Sequence, residues 1–222
     1  MASGAMSVAG ILLTGGTSRR MGADKASLVV DGQIAAVRLG GVLAAATSPA
    51  LEVGNARSGL SNIHETPLGA GPLVAIAAAA AELRRRGHAG PAVVLACDLP
   101  LVTEALVRHL VDWDGDGAVV PVVDGRRQPL CARWSAADLG AAIELAASGQ
   151  RSLRGLPGSG ACRCVGPQEL GSVVDARTFA DTDSPEDFVR LGIDWKPGAL
   201  VCEGHHDAEA AAGPGHPERG SA

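Results

Sequence analysis

Ile11-Leu12-Leu13-Thr14-Gly15-Gly16-Thr17-Ser18-Arg19-Arg20-Met21-Gly22-Ala23-Asp24-Lys25 is the stretch on which the reading of this chain turns. An apolar run with the look of a buried strand breaks into a glycine pair, an Arg-Arg cluster, a third glycine and a lysine. A strand that ends in glycines lets backbone N–H groups come close to a ligand, because no Cβ stands in the way. Arg19, Arg20 and Lys25 put positive charge just beyond that strand end, a combination that suits a polyphosphate. Neither common nucleotide loop is written here: the order G-x-x-x-x-G-K-[ST] is missing, and so is G-x-G-x-x-G. Read blandly, the same residues make a Gly-rich turn with solvated arginines.

Around this stretch, 222 residues suffice for one α/β domain with tails and an adequate core. With 46% hydrophobic but 2% aromatic residues, that core must be built from Val, Leu, Ile and Ala. A formal charge of −5 speaks against a nucleic-acid binder, whose footprint is basic. Cysteines at 97, 131, 162, 164 and 202 are odd in number and irregular in spacing, which is no disulfide framework. Cys162-Arg163-Cys164 is a lone C-x-C, whereas a structural zinc site normally needs four ligands. The N-terminus lacks a basic n-region, Val8 to Thr14 is too short for a signal h-region, and no apolar run reaches membrane-spanning length. A soluble, cytoplasmic protein with no nucleic-acid or membrane partner is expected.

Residues 1–7 read as a flexible leader, 8–195 as the folded domain and 196–222 as a disordered tail, because EGHHDAEAAAGPGHPERGSA is poor in large apolar residues. Val8 to Leu13 is the first strand, Ser27 to Val30 another, with Asp31-Gly32 as a turn. A helix over 34–46 is weakened by Gly40 and Gly41. Pro49 to Val53 is a short strand ending in Gly54-Asn55-Ala56-Arg57, and Pro72 opens an Ala-rich helix to about Arg86. Ala92 to Ala96 is the clearest strand, a continuous apolar run of the kind buried on both faces of a parallel sheet. Thr103 caps a helix to about Val111, and Ser135 opens another. Val119 to Val123 and Leu130 to Trp134 flank Asp124-Gly125 and predict an antiparallel, hairpin-like pair. Residues 155–164 read as a Gly-rich loop and Val173-Val174 as a late strand or edge. Ser184-Pro185-Glu186-Asp187 is a strong helix start, with Gly192 past its end, and periodicity is lost from about Trp195. Such alternation predicts an α/β, Rossmann-like, doubly wound and mostly parallel sheet with helices on both faces. Ligands then bind beyond the carboxyl ends of the strands.

Three acidic positions bear on chemistry. Asp98 ends the most apolar strand, where a carboxylate can hold Mg²⁺, an ion that keeps most of its waters and takes one or two carboxylates along with substrate phosphates. Read blandly, it is a strand-end Asp that caps the helix after Pro100. Asp181-Thr182-Asp183 either supplies a second ligand or favours the positive end of the following helix dipole. Glu65 follows a short apolar stretch and by itself says less.

LLTGGTSRRMGADK closely resembles the L-A-G-G-x-S-x-R-M-G-x-D-K signature of the molybdenum cofactor guanylyltransferases, MobA-like members of the sugar-type nucleotidyltransferases, with Thr14 where Ala is usual. GAGPLVA resembles that family's G-P-L segment, ACDLPLV its C-D-x-P, RRQPLCARW its Q-P-L-x-A-L and TDSPEDF its N-T-P-E-E-L, all in the right order over roughly residues 8–192. The resemblance implies a nucleotide-diphospho-sugar transferase type of fold. It also implies that Leu13, Thr14 and Gly15 present backbone to guanine, that Lys25 meets phosphates, and that Arg19 sits near the triphosphate or the pterin phosphate. Glu65 matches a nucleotide-contacting position that is often Asp. Asn55 lies in a segment similar to the family's V-N-A-N, with Gly54 at one of its Asn positions. Asp98 would bind Mg²⁺ and nucleotide. Arg151, Asp181 and Asp183 match the molybdopterin side, and Asp183 also falls where related enzymes keep a second metal contact.

The implied reaction transfers GMP from GTP to the terminal phosphate of the molybdenum–molybdopterin cofactor and releases pyrophosphate. Lys25, Arg19 and Asp98 are its catalytic groups, Mg²⁺ its cofactor, and molybdoenzymes or their chaperones the acceptors of the product. A cytidylyltransferase of the same cofactor is the close alternative, but those relatives tend to have L-A-A-G where this chain has LTGG, and they lack G-P-L. A non-catalytic nucleotide-binding regulator on the same fold is the alternative from another class; retention of Lys25 together with Asp98 argues against it.

Overall fold

The computed structural model of the chain describes residues 7–15, 25–158, 160–175, 177–182 and 184–196. In chain order it forms β1 (Ala9–Leu13), β2 (Val29–Val30), β3 (Gln33–Ile34), α1 (Ala35–Ala46), β4 (Ala50–Val53), β5 (Ser61–Ile63), α2 (Pro72–Arg85), β6 (Ala92–Ala96) and α3 (Glu104–Val111). There follow β7 (Ala118–Val123), β8 (Arg126–Arg127), β9 (Cys131–Trp134), α4 (Ala136–Ala147), β10 (Cys162–Val165), α5 (Pro167–Leu170), α6 (Pro185–Leu191) and β11 (Trp195–Lys196). The main sheet runs β10-β7-β9-β6-β1-β4-β5, with β8 attached to β7. β1 pairs parallel with both β4 and β6, β4 with β5, and β7 with β10, whereas β9 runs antiparallel between β6 and β7. This is the mostly parallel, helix-flanked sheet that the strand–helix alternation predicts.

Every β1 and β6 side chain is buried, because successive residues point to opposite faces and both faces are covered. Ile11, Leu13 and Val94 pack with Leu73, Ile76 and Leu83 of α2 and Leu139 of α4. Leu12, Val93 and Leu95 pack on the other face with Leu39 and Leu43 of α1 and Leu106 and Leu110 of α3. Each such aliphatic side chain contributes roughly 1.5–3 kcal/mol on full burial, so a core without many rings is adequate. A small antiparallel sheet, β11-β2-β3, covers Phe188 of α6 together with Leu28, Val30 and Ile193. Helix starts follow local chemistry. Thr103 Oγ1 accepts Leu106 N–H at 3.3 Å, Ser135 Oγ accepts Asp138 N–H at 3.1 Å, and Asp187 accepts both the N–H and the O–H of Ser184.

The structure departs from the sequence expectations in four places. β7 and β9 are antiparallel neighbours, as expected, but not a direct hairpin: the turn at Asp124-Gly125 (φ +49° and +73°) joins β7 to the short β8, and β9 meets β7 at Val119↔Arg133 and otherwise pairs with β6. Pro121, in the middle of β7, has no N–H to give a longer ladder. The end of the expected loop 155–164 is strand β10, whose exposed Cys162, Arg163 and Cys164 carry no apolar alternation. Gly171–Val173 is a turn of 3-10 helix instead of a strand. Trp195 and Lys196, where periodicity fades, pair with β2. Gly40 has a packing reason: a Cβ there would lie 2.7 Å from Ser58 Cβ, so the loop carrying Ser58 crosses α1 at that point. Cys131, Cys162 and Cys164 are free thiols, and no helix among the described residues is long and apolar enough to cross a membrane.

Candidate active site

Three strand ends lie side by side. Leu13 is in register with Val53 of β4 on one side and Ala96 of β6 on the other, so Thr14-Gly15, Gly54-Asn55 and Cys97-Asp98 leave the sheet together. Cys97 N–H donates to Leu13 O at 3.1 Å, and Thr14 and Gly15 both direct their N–H groups to Val53 O, at 3.0 and 3.3 Å. Gly15 and Asn55 are exposed, while Thr14 and Glu65 beneath them are buried. Glu65 follows β5 and accepts Gly69 N–H at 2.9 Å; its two carboxylate oxygens lie 3.6 and 3.9 Å from where a Cβ on Gly15 would be. The structure thus brings Leu13, Thr14, Gly15, Asn55, Glu65 and Asp98 into one corner.

Asp98 is half-buried. Its main-chain oxygen accepts Thr182 N–H at 3.1 Å and Thr182 Oγ1 at 3.2 Å, which ties the Asp181-Thr182 segment to the end of β6 across 84 positions of sequence. Arg38 of α1 clamps the following turn by donating to Pro100 O at 2.5 Å and Val102 O at 2.9 Å. Burial, with the nearby charge of Asp98 as a second cause, pushes the Cys131 thiol up to about 12, so this buried thiol beside the site stays protonated and inert. Arg151 is exposed, and its main-chain oxygen lies 3.5 Å from where a Cβ on Gly71 would be, next to the first turn of α2. Arg19 and Asp183 lie outside the described residues, and of Lys25 the backbone is described, at the start of a 3-10 turn over Lys25–Ser27.

Sequence reasoning passed over Glu52, which is fully buried in β4. It accepts the hydroxyl of Thr14 at 2.5 Å, the hydroxyl of Ser58, and the N–H groups of Arg57 and Ser58 at 2.9 and 2.8 Å. Burial alone would raise its pKa. The hydroxyls of Ser58 and Thr14 and the two amides outweigh that, and hold the carboxyl below its ordinary value. The signal was available: Ala50-Leu51-Glu52-Val53 puts one acid into an otherwise apolar strand flanked on both sides. Thr182 and Arg38 had no comparable local signal.

Among the described residues no three His, Cys, Asp or Glu side chains gather as a metal cluster, Cys162 and Cys164 included. A single half-buried carboxylate at a strand end fits a hard cation that keeps its waters and takes oxygens from a phosphate substrate, and does not fit a closed zinc site.

Residues 10–160 match the MobA-like NTP transferase domain. A Mycobacterium marinum protein described as a probable molybdenum cofactor guanylyltransferase is 31% identical over 195 residues, 82% of this chain and 95% of that one. The crystal structure of molybdopterin-guanine dinucleotide biosynthesis protein A from Archaeoglobus fulgidus superposes with a TM-score of 0.67 at 21% identity, covering 82% of this chain and 96% of that one. A manganese complex of a Mycobacterium tuberculosis protein superposes with a TM-score of 0.60 at 18% identity, covering 83% and 97%.

Proposed function

The chain belongs to the MobA-like NTP transferase family, and we propose that within it the protein is a cytoplasmic guanylyltransferase that moves GMP from GTP to the terminal phosphate of the molybdenum–molybdopterin cofactor. The observation that carries this reading is the corner formed by exposed Gly15 and Asn55 over buried Glu65, next to Asp98 at the end of β6. The names of relatives such as the M. marinum protein support the same substrate pair.

The N–H groups of Thr14 and Gly15 are directed to Val53 O, so this turn presents acceptors, its carbonyl oxygens and the Glu65 carboxylate, beside the donor-and-acceptor amide of exposed Asn55. Guanine offers the matching donors at N1 and N2. In this reading Leu13, Thr14, Gly15, Asn55 and Glu65 seat the nucleoside, and Lys25 and Arg19 meet the phosphates. Asp98 holds Mg²⁺, which when bound supplies neutralisation of phosphate charge. Arg151, Asp181 and Asp183 face the molybdopterin.

A terminal phosphate oxygen of the pterin bonds to the α-phosphorus of GTP, while the bond from that phosphorus to the β-bridging oxygen breaks and its electron pair leaves with pyrophosphate. The attacking oxygen is already an anion, so no side chain is asked to take a proton. The work of the site is alignment and charge neutralisation of two anions. With the protein at −5 overall, local basic groups must overcome a field that repels both substrates.

The test is pyrophosphate release with molybdenum-loaded molybdopterin and each of GTP, CTP, ATP and UTP. GTP should lead CTP in kcat/KM by at least about a hundredfold, ~2.7 kcal/mol of differential transition-state binding. A lead for CTP would overturn the guanine assignment, and turnover of none would overturn the enzymatic one.

A further inference from the structure

Glu52 is fully buried, so it touches no substrate, yet it sits directly behind the nucleotide corner. It receives Thr14 from the tip of β1 on one side and Ser58, with its own N–H and O–H, on the other. Thr14 Oγ1 also accepts Asn55 N–H, at 3.2 Å. One hydroxyl therefore links the turn after β1 to the turn after β4, and its direction is set by the carboxylate to which it donates. Gly54 makes room for this. A Cβ there would fall 2.5 Å from Thr14 Oγ1 and 2.5 Å from Gly15 N, and its φ of +139° is one that other residues rarely adopt. Thr14, Glu52 and Gly54 form one unit, and the exposed Gly15 and Asn55 are its outer surface.

We propose that Glu52, acting through the Thr14 hydroxyl, is a positioning residue that sets the seat of the nucleoside at Gly15 and Asn55. The proposal rests on the reading of this corner as the nucleotide site. A buried carboxylate is strongly held when every donor is in place, and removal of one donor leaves it under-satisfied, so it holds a turn more rigidly than an apolar contact could. Ser58 gives the internal contrast: it donates to the same carboxylate, but its hydroxyl accepts Leu60 N–H, whereas the Thr14 hydroxyl accepts Asn55 N–H.

The experiment measures KM and kcat for each of the four nucleoside triphosphates with wild type, Thr14→Ala, Thr14→Ser, Glu52→Gln and Ser58→Ala, all well below their melting temperatures. Thr14→Ala and Glu52→Gln should raise KM for the preferred nucleotide about tenfold with kcat within about threefold. Thr14→Ser, which keeps the hydroxyl, should recover most of the KM that Thr14→Ala loses, and Ser58→Ala should keep KM within about twofold of wild type even where its melting temperature falls. Equal KM effects in Thr14→Ser and Thr14→Ala, or an effect of Thr14→Ala and Glu52→Gln on melting temperature alone, would overturn the positioning role. If wild type prefers another nucleotide and the KM pattern holds for it, the positioning role stands and the guanine assignment fails. Wild type that turns over none of the four overturns both.

Discussion

Strand β1 has a carboxylate on each side, Glu52 in β4 and Asp98 at the end of β6, and the protein treats the two in opposite ways. Glu52 is fully buried and its oxygens are taken by Thr14, Arg57 and Ser58. Asp98 is half-buried, and it is the main-chain oxygen of this residue that Thr182 grips. One acid is given over to shape, and the other is held in place by its backbone. In the proposed reading, two residues of the same charge on either side of β1 separate the holding of the site from its chemistry.

The largest test of that contrast is Asp98→Asn. Thr182 holds the backbone oxygen of Asp98, which the substitution leaves in place, so the fold should stay intact. Guanylyl transfer should fall by about 10²–10³, ~3–4 kcal/mol of transition-state stabilisation. Turnover within a few-fold of wild type at ordinary Mg²⁺ concentration would place the chemistry elsewhere.

Glu52→Gln should do the reverse to stability. Burial acts to raise the Glu52 pKa, but the Ser58, Thr14 and Arg57 donors outweigh it and the folded value lies below the ordinary 4.5. A depressed carboxyl contributes stability that is present above the unfolded pKa and lost as pH falls through the folded one. At pH 7 the amide variant should be less stable by about 2 kcal/mol, a drop of roughly 4–8 °C in Tm. The gap should close as pH falls below about 4.5. Melting curves of both proteins from pH 7 to pH 3 check this, and a gap independent of pH would mean that the carboxylate charge is not what holds the turn.

Gly15→Ala sharpens the comparison at the surface of the unit. Gly15 does not have a positive φ, and its new methyl would lie 3.6 Å from Glu65 Oε1 and 3.7 Å from Gly54 Cα, ordinary contacts. Stability should hold, while the methyl stands between the Glu65 carboxylate and an approaching base. The GTP-to-CTP ratio of kcat/KM should fall about tenfold, ~1.4 kcal/mol. An unchanged ratio with activity retained would move base recognition away from this turn.

Local chemistry along the chain determined much. The apolar run into Gly15, the continuous strand over Ala92–Ala96, the caps at Thr103 and Ser135 and the stop at Gly192 are written in neighbouring residues, because helix starts, turns and buried strands depend on spacing of a few positions. The signature from Leu12 to Lys25 and the order of the later segments carried the family. What tertiary structure decided is what lies far apart in sequence. β9 reverses direction inside a parallel sheet, and β10 forms from residues whose exposure hides any alternation. Thr182 reaches Asp98 across 84 positions, and Thr14 reaches Glu52 across 38. Glu52 finds Arg57 and Ser58 a few positions on along the chain, but only the register that sets Leu13 beside Val53 brings it the Thr14 hydroxyl. Burial then makes that one hydrogen bond matter, since in the interior a carboxylate has no water to fall back on.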